Sequence, residues 1–247
     1  MYYYIYDSYL NSKSYNNTLA KIETRLTDLG INGKINHLSF LKNIKQILTD
    51  EIKKGANTLV VVGNDKTIGK IINLVADLNM TLGIIPIDGT NNIAKFLGIP
   101  LREEACDILS SRIVQKIDLG NVNNNYFISS IETIGKNISL ELDNNYLINL
   151  EGQESIINVS NLNCCFGQIA NPEDQKLDIF IQIIKNTLLG KKEVSFSHLK
   201  SKLIKITSSK TIPILLSDEK KIVKTPANIK IVGKKIKMIV GKNRIQS

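Results

Sequence analysis

The stretch that decides the fold reads Val60-Val61-Val62-Gly63-Asn64-Asp65-Lys66-Thr67-Ile68-Gly69. Its β-branched start, together with Thr58 and Leu59, predicts a buried strand over 58–62. Apolar side chains then recur at helical spacing, which predicts a helix over 67–78. The stretch is therefore a strand, a small polar turn and an amphipathic helix.

The polar turn between this strand and this helix suits a phosphate group. The first N–H groups of a helix have no partner within the helix and carry partial positive charge, so phosphate binds there when the backbone is accessible. We predict that Thr67 is the N-cap of the helix and that Asp65 holds Mg²⁺ beside the phosphate position. In the alternative interpretation, Asp65 and Thr67 only cap an ordinary helix.

A second segment of the same kind follows about twenty residues later. Residues 82–86 predict another strand, and the loop after it opens a helix predicted over 90–97. Because parallel strands present their carboxyl ends at one edge of a sheet, where ligands bind in open α/β folds, we expect both loops to face one ligand site. The second loop reads Asp88-Gly89-Thr90-Asn91-Asn92.

The rest of the first half alternates between strand and helix patterns. This order predicts an α/β domain over residues 1–118, built on a doubly wound parallel sheet. The remaining elements predicted in it are strands at 2–6 and 33–38 and helices at 15–29, 40–54 and 101–111.

The pattern changes near Asp118-Leu119-Gly120, where we place a domain boundary. Residues 119–247 contain many short segments that alternate or are β-branched, with turn residues between them. This texture predicts a β-rich, sandwich-like second domain. One helix is predicted inside it, over 178–189.

Charge is unevenly distributed along the chain. Residues 176–247 carry 17 Lys/Arg against 4 Asp/Glu, a balance of +13, whereas residues 119–175 have a balance of −6. The basic segment suits an anionic membrane surface, although a solvated lysine-rich surface would have the same composition. Because Phe180 and Phe196 are its only aromatic residues, no specific nucleic-acid partner is expected.

The cysteines and the N-terminus bear on the compartment. Three cysteines, Cys106, Cys164 and Cys165, do not form a disulfide framework, and the start of the chain lacks a signal-peptide pattern. We read Cys164 and Cys165 as small buried residues rather than as a soft-metal pair. The expected location is the cytoplasm, with peripheral attachment to the inner membrane face, and a homodimer is left open.

The two loops resemble the catalytic domain of diacylglycerol kinases and related bacterial lipid kinases. That family has G-G-D-G-T after its third strand and then a P-x-G-T-x-N-D-x-A-R-x-L-G-I-P run. The resemblance covers nearly the whole chain and is strongest over 58–128. The matching residues are Gly63, Asp65 and Thr67 in the first motif, Pro86, Asn91, Ala94, Leu97, Gly98, Ile99 and Pro100 in the second, and Asp118-Leu119-Gly120 downstream.

The resemblance implies an ATP-dependent kinase that transfers the γ-phosphate to a hydroxyl of diacylglycerol or a related lipid. Residues 1–118 would bind ATP and Mg²⁺, and residues 119–247 would bind the acceptor lipid at an anionic membrane surface. The implied catalytic residues are Asp65, Asp218 as the base and Glu219 as its substitute, with Asp65 also the metal ligand. The implied nucleotide-binding residues are Gly63, Asn64, Lys66, Thr67, Asp88, Gly89, Thr90, Asn91 and Asn92.

Several residues depart from the family pattern. Lys66 and Asn64 replace glycines, and if the position of Lys66 requires a positive φ, the substitution costs about 1 kcal/mol of strain. Asp88 places a carboxylate near the phosphate position. These departures leave two alternatives open: a catalytically degenerate nucleotide- or lipid-binding module, and an NAD kinase-like small-molecule kinase.

Overall fold

A computed structural model describes residues 1–38, 44–89, 91–162, 164–165, 168–186 and 192–244. The chain folds into two compact units. The first unit contains Met1–Ile117 and the C-terminal segment that begins at Lys235, and the second unit contains Asp118–Lys234.

The first unit is built on a parallel sheet. Its strands lie in the order β2-β1-β3-β4, and each neighbouring pair is parallel. The order reverses between β1 and β3, which is the arrangement of a doubly wound sheet and confirms the predicted fold class. The strands are β1 (Tyr2–Tyr6), β2 (Gly33–His37), β3 (Thr58–Gly63) and β4 (Thr81–Pro86).

Helices connect these strands. Helix α1 contacts α5, and α2 contacts α3, as expected when right-handed crossovers put α1 on one face of the sheet and α2 and α3 on the other. The predicted helix over 40–54 is α2, and residues 39–43 lie outside the described part of the chain. The helices are α1 (Asn16–Asp28), α2 (Ile44–Lys53), α3 (Asp65–Val75), α4 (Asn92–Phe96) and α5 (Ala105–Ser111), with 3-10 turns at Ser8–Asn11, Lys13–Tyr15 and Arg102–Glu104.

Strand β3 occupies the centre of this sheet. All six of its residues are buried, because β1 and β4 flank it and helices cover a parallel sheet on both faces. The continuous apolar run over 58–62, rather than an alternating one, is the sequence signature of that position. The carboxyl ends of β1, β3 and β4 therefore lie side by side.

The second unit is a β structure. Its strands pair antiparallel throughout the described registers. The strands that lie wholly or partly in this unit are β5 (Val114–Val122), β6 (Asn125–Phe127), β7 (Ser130–Leu142), β8 (Tyr146–Ser160), β9 (Cys164–Cys165), β10 (Gln168–Ile169), β11 (Leu177–Asn186), β12 (Lys192–Ser201), β13 (Leu203–Ser208), β14 (Pro213–Leu216), β15 (Lys221–Lys224) and β16 (Ala227–Ile239).

Two layers form this unit because the long strands β7 and β8 contribute to both. The first half of β7 pairs with β14 and the second half of β8, which continues to β11 and β12. Beyond an irregularity between Lys136 and Ile138, β7 pairs with β13, which continues to β16. One buried cluster contains residues of both layers, including Ile157 and Ile206. This is the sandwich-like core that the sequence predicts.

The helix predicted over 178–189 is wrong. Residues 177–186 form strand β11, and 187–189 lie outside the described residues. Ile179 and Ile181 are buried in the core and Ile183 packs against it, so the apolar side chains that face inward have a period of two. Ile184, on the other face, completed an apparent helical stripe in the sequence.

The C-terminal segment also departs from its prediction. The sequence assigned all of residues 119–247 to the second domain, whereas the segment from Lys235 belongs to the first unit. Lys237 and Met238 pair in parallel with Thr81 and Leu82 of β4. Alternation marks 235–240 as a strand, but it carries no information about which sheet the strand joins.

Candidate functional site at the carboxyl edge of the first sheet

The first loop is organised by Asn64, which is the N-cap of α3. Its side-chain oxygen accepts hydrogen bonds from the backbone N–H of Lys66 at 3.1 Å and of Thr67 at 3.3 Å. The backbone N–H of Asn64 in turn donates to Thr67 Oγ1 at 3.4 Å, which completes a capping box. The prediction that Thr67 is the N-cap is therefore wrong: Thr67 is the third helical residue.

Thr67 faces the neighbouring strand rather than a ligand. It is fully buried, and its hydroxyl donates to Asp7 Oδ2, at the carboxyl end of β1. A side chain at Gly63 would begin 2.7 Å from Thr67 Oγ1, so glycine is required there by close packing. The hydrogen bond between Thr67 and Asp7 joins the start of α3 to the end of β1, at the position where the strand order reverses.

Asp65 connects the first loop to the second. Its Oδ2 accepts from the backbone N–H of Asn92 at 2.8 Å, and its Oδ1 accepts from that of Ile93 at 3.2 Å. The side chain is buried, with 7% of the residue exposed. The two loops are thus brought together, as the parallel strands predicted, and Asp65 is the residue that joins them.

The phosphate-binding amides proposed from the sequence already have acceptors. Asn64 occupies the N–H groups of Lys66 and Thr67, and Asp65 occupies those of Asn92 and Ile93. A phosphate group that bound these four N–H groups would have to replace the side-chain oxygens of Asn64 and Asp65.

Lys66 is exposed and has an ordinary helical backbone, because it lies within α3 and has no positive φ. The strain considered for this position is therefore absent. Within the described residues it makes no ion pair with Asp65 or Asp88. Its ammonium group is available to an anionic ligand at the sheet edge.

The second loop holds a charged and partly exposed group. Asp88 Oδ1 lies 3.3 Å from an Arg102 guanidinium nitrogen, and a hydrogen bond to Asp88 raises the pKa of the Tyr15 hydroxyl. Gly89 has a φ of +79°, and Asn91 Nδ2 donates to its carbonyl at 3.2 Å. Thr90, also predicted to bind nucleotide, lies outside the described residues.

Sequence reasoning missed Asp7, Tyr15 and Arg102 at this edge. Asp7 follows β1 directly, so the rule that placed the two loops at the carboxyl ends of their strands also applies to it. Tyr15 and Arg102 lie in 3-10 turns and carry no comparable signal.

Asp218 and Glu219 lie in the second unit, in the turn between β14 and β15. Asp218 is buried, with 3% exposed, and its Oδ2 accepts from the backbone N–H of Ile128 at 2.9 Å and of Ser129 at 3.1 Å. Glu219 is partly exposed, and Lys220 has a φ of +57°. Asp218 thus anchors the segment before β7, and its role as a catalytic base stays a prediction.

The described residues contain neither a cluster suited to a metal ion nor a helix suited to cross a membrane. Within the ranges that the structure describes, no three His, Cys, Asp or Glu side chains converge in a way that would hold a metal ion. The longest helix in those ranges is α1 with 13 residues, and none has the length and apolar character of a membrane span.

The family of the first unit follows from comparison with known proteins. Residues 2–122 match the family model of the diacylglycerol kinase catalytic domain, and this half of the chain belongs to that family. A diacylglycerol kinase of Bacillus subtilis (strain 168) is 39% identical over 75 residues, which are 29% of this chain and 25% of that protein. A Staphylococcus aureus (strain MSSA476) protein with a provisional lipid-kinase name is 27% identical over 51% of this chain and 44% of its own length. The aligned part is thus less than half of each relative.

The whole chain shares its fold with solved structures. The crystal structure of a diacylglycerol kinase from Bacillus anthracis str. Sterne superposes with a TM-score of 0.77 at 21% identity and covers 99% of this chain and 98% of that one. At this identity the likeness establishes the fold, including both units.

Proposed function

We propose that the protein is an ATP-dependent lipid kinase that phosphorylates a hydroxyl of diacylglycerol or a related lipid. The observation that carries the proposal is the pair of loops joined by Asp65 at the carboxyl edge of the sheet, in a domain of the diacylglycerol kinase family. The exposed ammonium of Lys66 supplies positive charge where a nucleotide's phosphates would lie.

The reaction forms a bond between the acceptor oxygen and the γ-phosphorus while the bond from that phosphorus to the bridging oxygen of ATP breaks. ADP leaves with the electron pair, and the hydroxyl proton passes to a carboxylate, which we assign to Asp218 or to Glu219. Catalysis of this kind depends on positioning and charge neutralisation.

Mg²⁺ is expected to arrive with ATP as part of the substrate. It is commonly held by one or two protein carboxylates together with phosphate oxygens and water. We assign Asp65 the role of one such ligand, because its carboxylate lies where the two loops meet. No cage formed by protein ligands alone is needed.

The test is transfer of label from Mg-[γ-³²P]ATP to a mixed lipid extract. We expect Lys66→Ala to weaken transfer about tenfold or more, since one charge-assisted contact to phosphate is lost. Lys70→Ala, an exposed lysine of the same helix, is the matched control and should leave transfer unchanged. Comparing Asp218→Asn with Glu219→Gln then identifies the base. No lipid labelling by the native protein would refute the proposal, and labelling of NAD would favour the small-molecule kinase.

A second candidate, a nucleotide- or lipid-binding module without transfer, is favoured by one observation. The N–H groups at the starts of α3 and α4 are already bonded to Asn64 and Asp65. If these bonds persist with ligand present, the phosphates are not held for transfer. ATP binding measured by calorimetry, together with absent lipid labelling, would select this candidate.

We also propose that the protein reaches its lipid at an anionic membrane surface. Residues 176–247 supply a balance of +13, and each basic residue near such a surface contributes about 1 kcal/mol. We expect stronger sedimentation with phosphatidylserine-containing vesicles than with phosphatidylcholine vesicles, and less of it at high salt. Equal binding to both vesicle types at low salt would reject the membrane proposal.

A further inference from the structure

A cleft of about 860 Å³ lies entirely within the first unit. Its walls are the second loop, helix α4 with the Gly98–Leu101 segment after it, helix α5, and the C-terminal return around Gly241. None of the first-loop residues 63–67 is among its described lining. Its volume is that of small-molecule sites, which range over roughly 300–1,000 Å³.

The C-terminal return forms a fixed wall of this cleft. Gly241 N–H donates to the Leu97 carbonyl at 2.8 Å, and a Cβ at Gly241 would lie 1.9 Å from the Gly98 carbonyl oxygen. The two backbones are therefore in direct contact, and the return cannot approach this closely with any other residue at Gly241. This contact places Lys242 at the cleft.

Part of the lining is hydrocarbon. Leu101, the last residue of the Gly98–Leu101 segment, has 52% of its surface exposed although it lies in a concave site. Apolar side chains exposed in a concave surface gain free energy when a hydrocarbon ligand displaces water from them. The apolar lining residues are Ile99, Pro100, Leu101, Ile108, Ile113 and Val240.

The polar part of the lining is cationic. Lys95 of α4 and Lys242 of the return both line the cleft, and no aspartate or glutamate is among its described lining residues. Within the described residues neither lysine has an ion pair or a side-chain hydrogen bond, in contrast to Lys34 and Lys235, which are paired with carboxylates. Two uncompensated cations beside hydrocarbon match an amphipathic anion.

We propose that this cleft binds a lipid phosphate monoester, with acyl chains against Leu101 and its apolar neighbours and with the phosphate near Lys95 and Lys242. The inference rests on the proposed function, since such a lipid is the product of that reaction, and it gives the first unit a lipid site in addition to its nucleotide loops. A nucleotide fits less well, because no aromatic side chain is present among the described lining residues to stack on a base.

The test is calorimetric titration of the full-length protein, without ATP, with monomeric dioctanoyl phosphatidic acid. We expect Lys95→Ala with Lys242→Ala to weaken binding about a hundredfold, roughly tenfold for each charge-assisted contact, and Lys95→Arg with Lys242→Arg to retain it. Leu101→Asp should weaken phosphatidic acid and dioctanoylglycerol alike. Lys21→Ala and Ile35→Asp, at exposed positions of the same unit away from the cleft, are the matched controls.

Three outcomes would overturn the proposal. These are unchanged phosphatidic acid affinity in the double alanine variant, an equal loss of affinity in the controls, or ATP or inorganic phosphate binding that falls as much as phosphatidic acid binding. Phosphatidylglycerol, a phosphodiester, should bind more weakly than the monoester, and tighter binding would assign the cleft to bulk membrane lipid instead. Because no ATP is present, failure of the kinase assay would leave a positive result here intact.

Discussion

Two aspartates assigned catalytic roles from the sequence are held in different ways. Asp65 of the first unit uses both carboxylate oxygens, one for each of two consecutive backbone N–H groups, whereas Asp218 of the second unit accepts from two consecutive N–H groups with the same oxygen, Oδ2. Asp118 resembles Asp65, with Oδ1 bonded to Lys234 N–H and Oδ2 to Gln175 N–H. The difference decides which aspartate an asparagine can replace.

The largest effect is expected for Asp118→Ala. Asp118 is fully buried, and its two oxygens bind segments 57 and 116 residues away, at 2.7 and 2.5 Å. Alanine removes the charged acceptor of the Gln175 and Lys234 N–H groups, and the loss of these two partly buried bonds costs about 3 kcal/mol. Urea unfolding measures the free energy of unfolding of the variant. The control is Glu141→Ala, which removes an ion pair with Lys205 at the surface and should cost less than about 1 kcal/mol. A small loss for Asp118→Ala would show that the two-oxygen clamp is not a major source of stability.

Asp65→Asn should have the next largest effect, lowering the free energy of unfolding by about 2 kcal/mol. Asparagine keeps one acceptor oxygen but presents an NH₂ group to the second backbone N–H, so one of the bonds to Asn92 and Ile93 is lost. Hydrogen exchange of those two amides should rise, while exchange in β11 stays unchanged. Protection equal to that of the native chain would mean that the carboxylate does not hold the second loop.

The sequence predicted the positions of these aspartates but not their partners. The apolar run over 58–62 and the turn after it placed Asp65 at the sheet edge, because burial on both faces leaves a strong local pattern. Whether a carboxylate there binds a metal or a helix start is decided by residues 27 and 28 positions away, which no local pattern specifies. For the same reason Thr67 was misread as the N-cap, since Asn64 and Thr67 are both common capping residues.

Asn64→Ala tests the other helix start and should cost about 1 kcal/mol. The variant removes the side-chain acceptor for two N–H groups of α3, those of exposed Lys66 and buried Thr67, which is the usual loss when an N-cap is removed. Asn64→Asp should restore stability, because aspartate is an equally good N-cap. If Asn64 and Asp65 mask the phosphate site, Asn64→Ala should also tighten ATP binding, and a weaker affinity would contradict that masking.

Asp218→Asn should lose less stability than Asp65→Asn, because a single amide oxygen can keep both backbone bonds that Oδ2 accepts now. If Asp218 is the base, this variant separates stability from transfer: lipid labelling falls while the unfolding midpoint hardly moves. A loss of stability as large as that of Asp65→Asn would contradict the one-oxygen distinction, and full activity would transfer the base role to Glu219.

The smallest effect concerns a fourth buried carboxylate, Glu51, whose partners are lysines rather than backbone amides. Lys34 Nζ lies 2.6 Å from its Oε1, and the hydrogen bond from Lys34 lowers the pKa of Glu51. A lowered folded-state pKa means that the pair stabilises the fold above the ordinary glutamate pKa of about 4.3 and that this contribution is lost as pH falls through the folded-state value. The difference in unfolding midpoint between the native chain and Glu51→Gln should therefore be present at pH 7 and should vanish in strong acid. It should also shrink with salt, because the side chain of Lys34 is 55% exposed, whereas the backbone clamp of Asp65 should show little salt dependence. A pH-independent difference would assign the role of Glu51 to packing instead of to its charge.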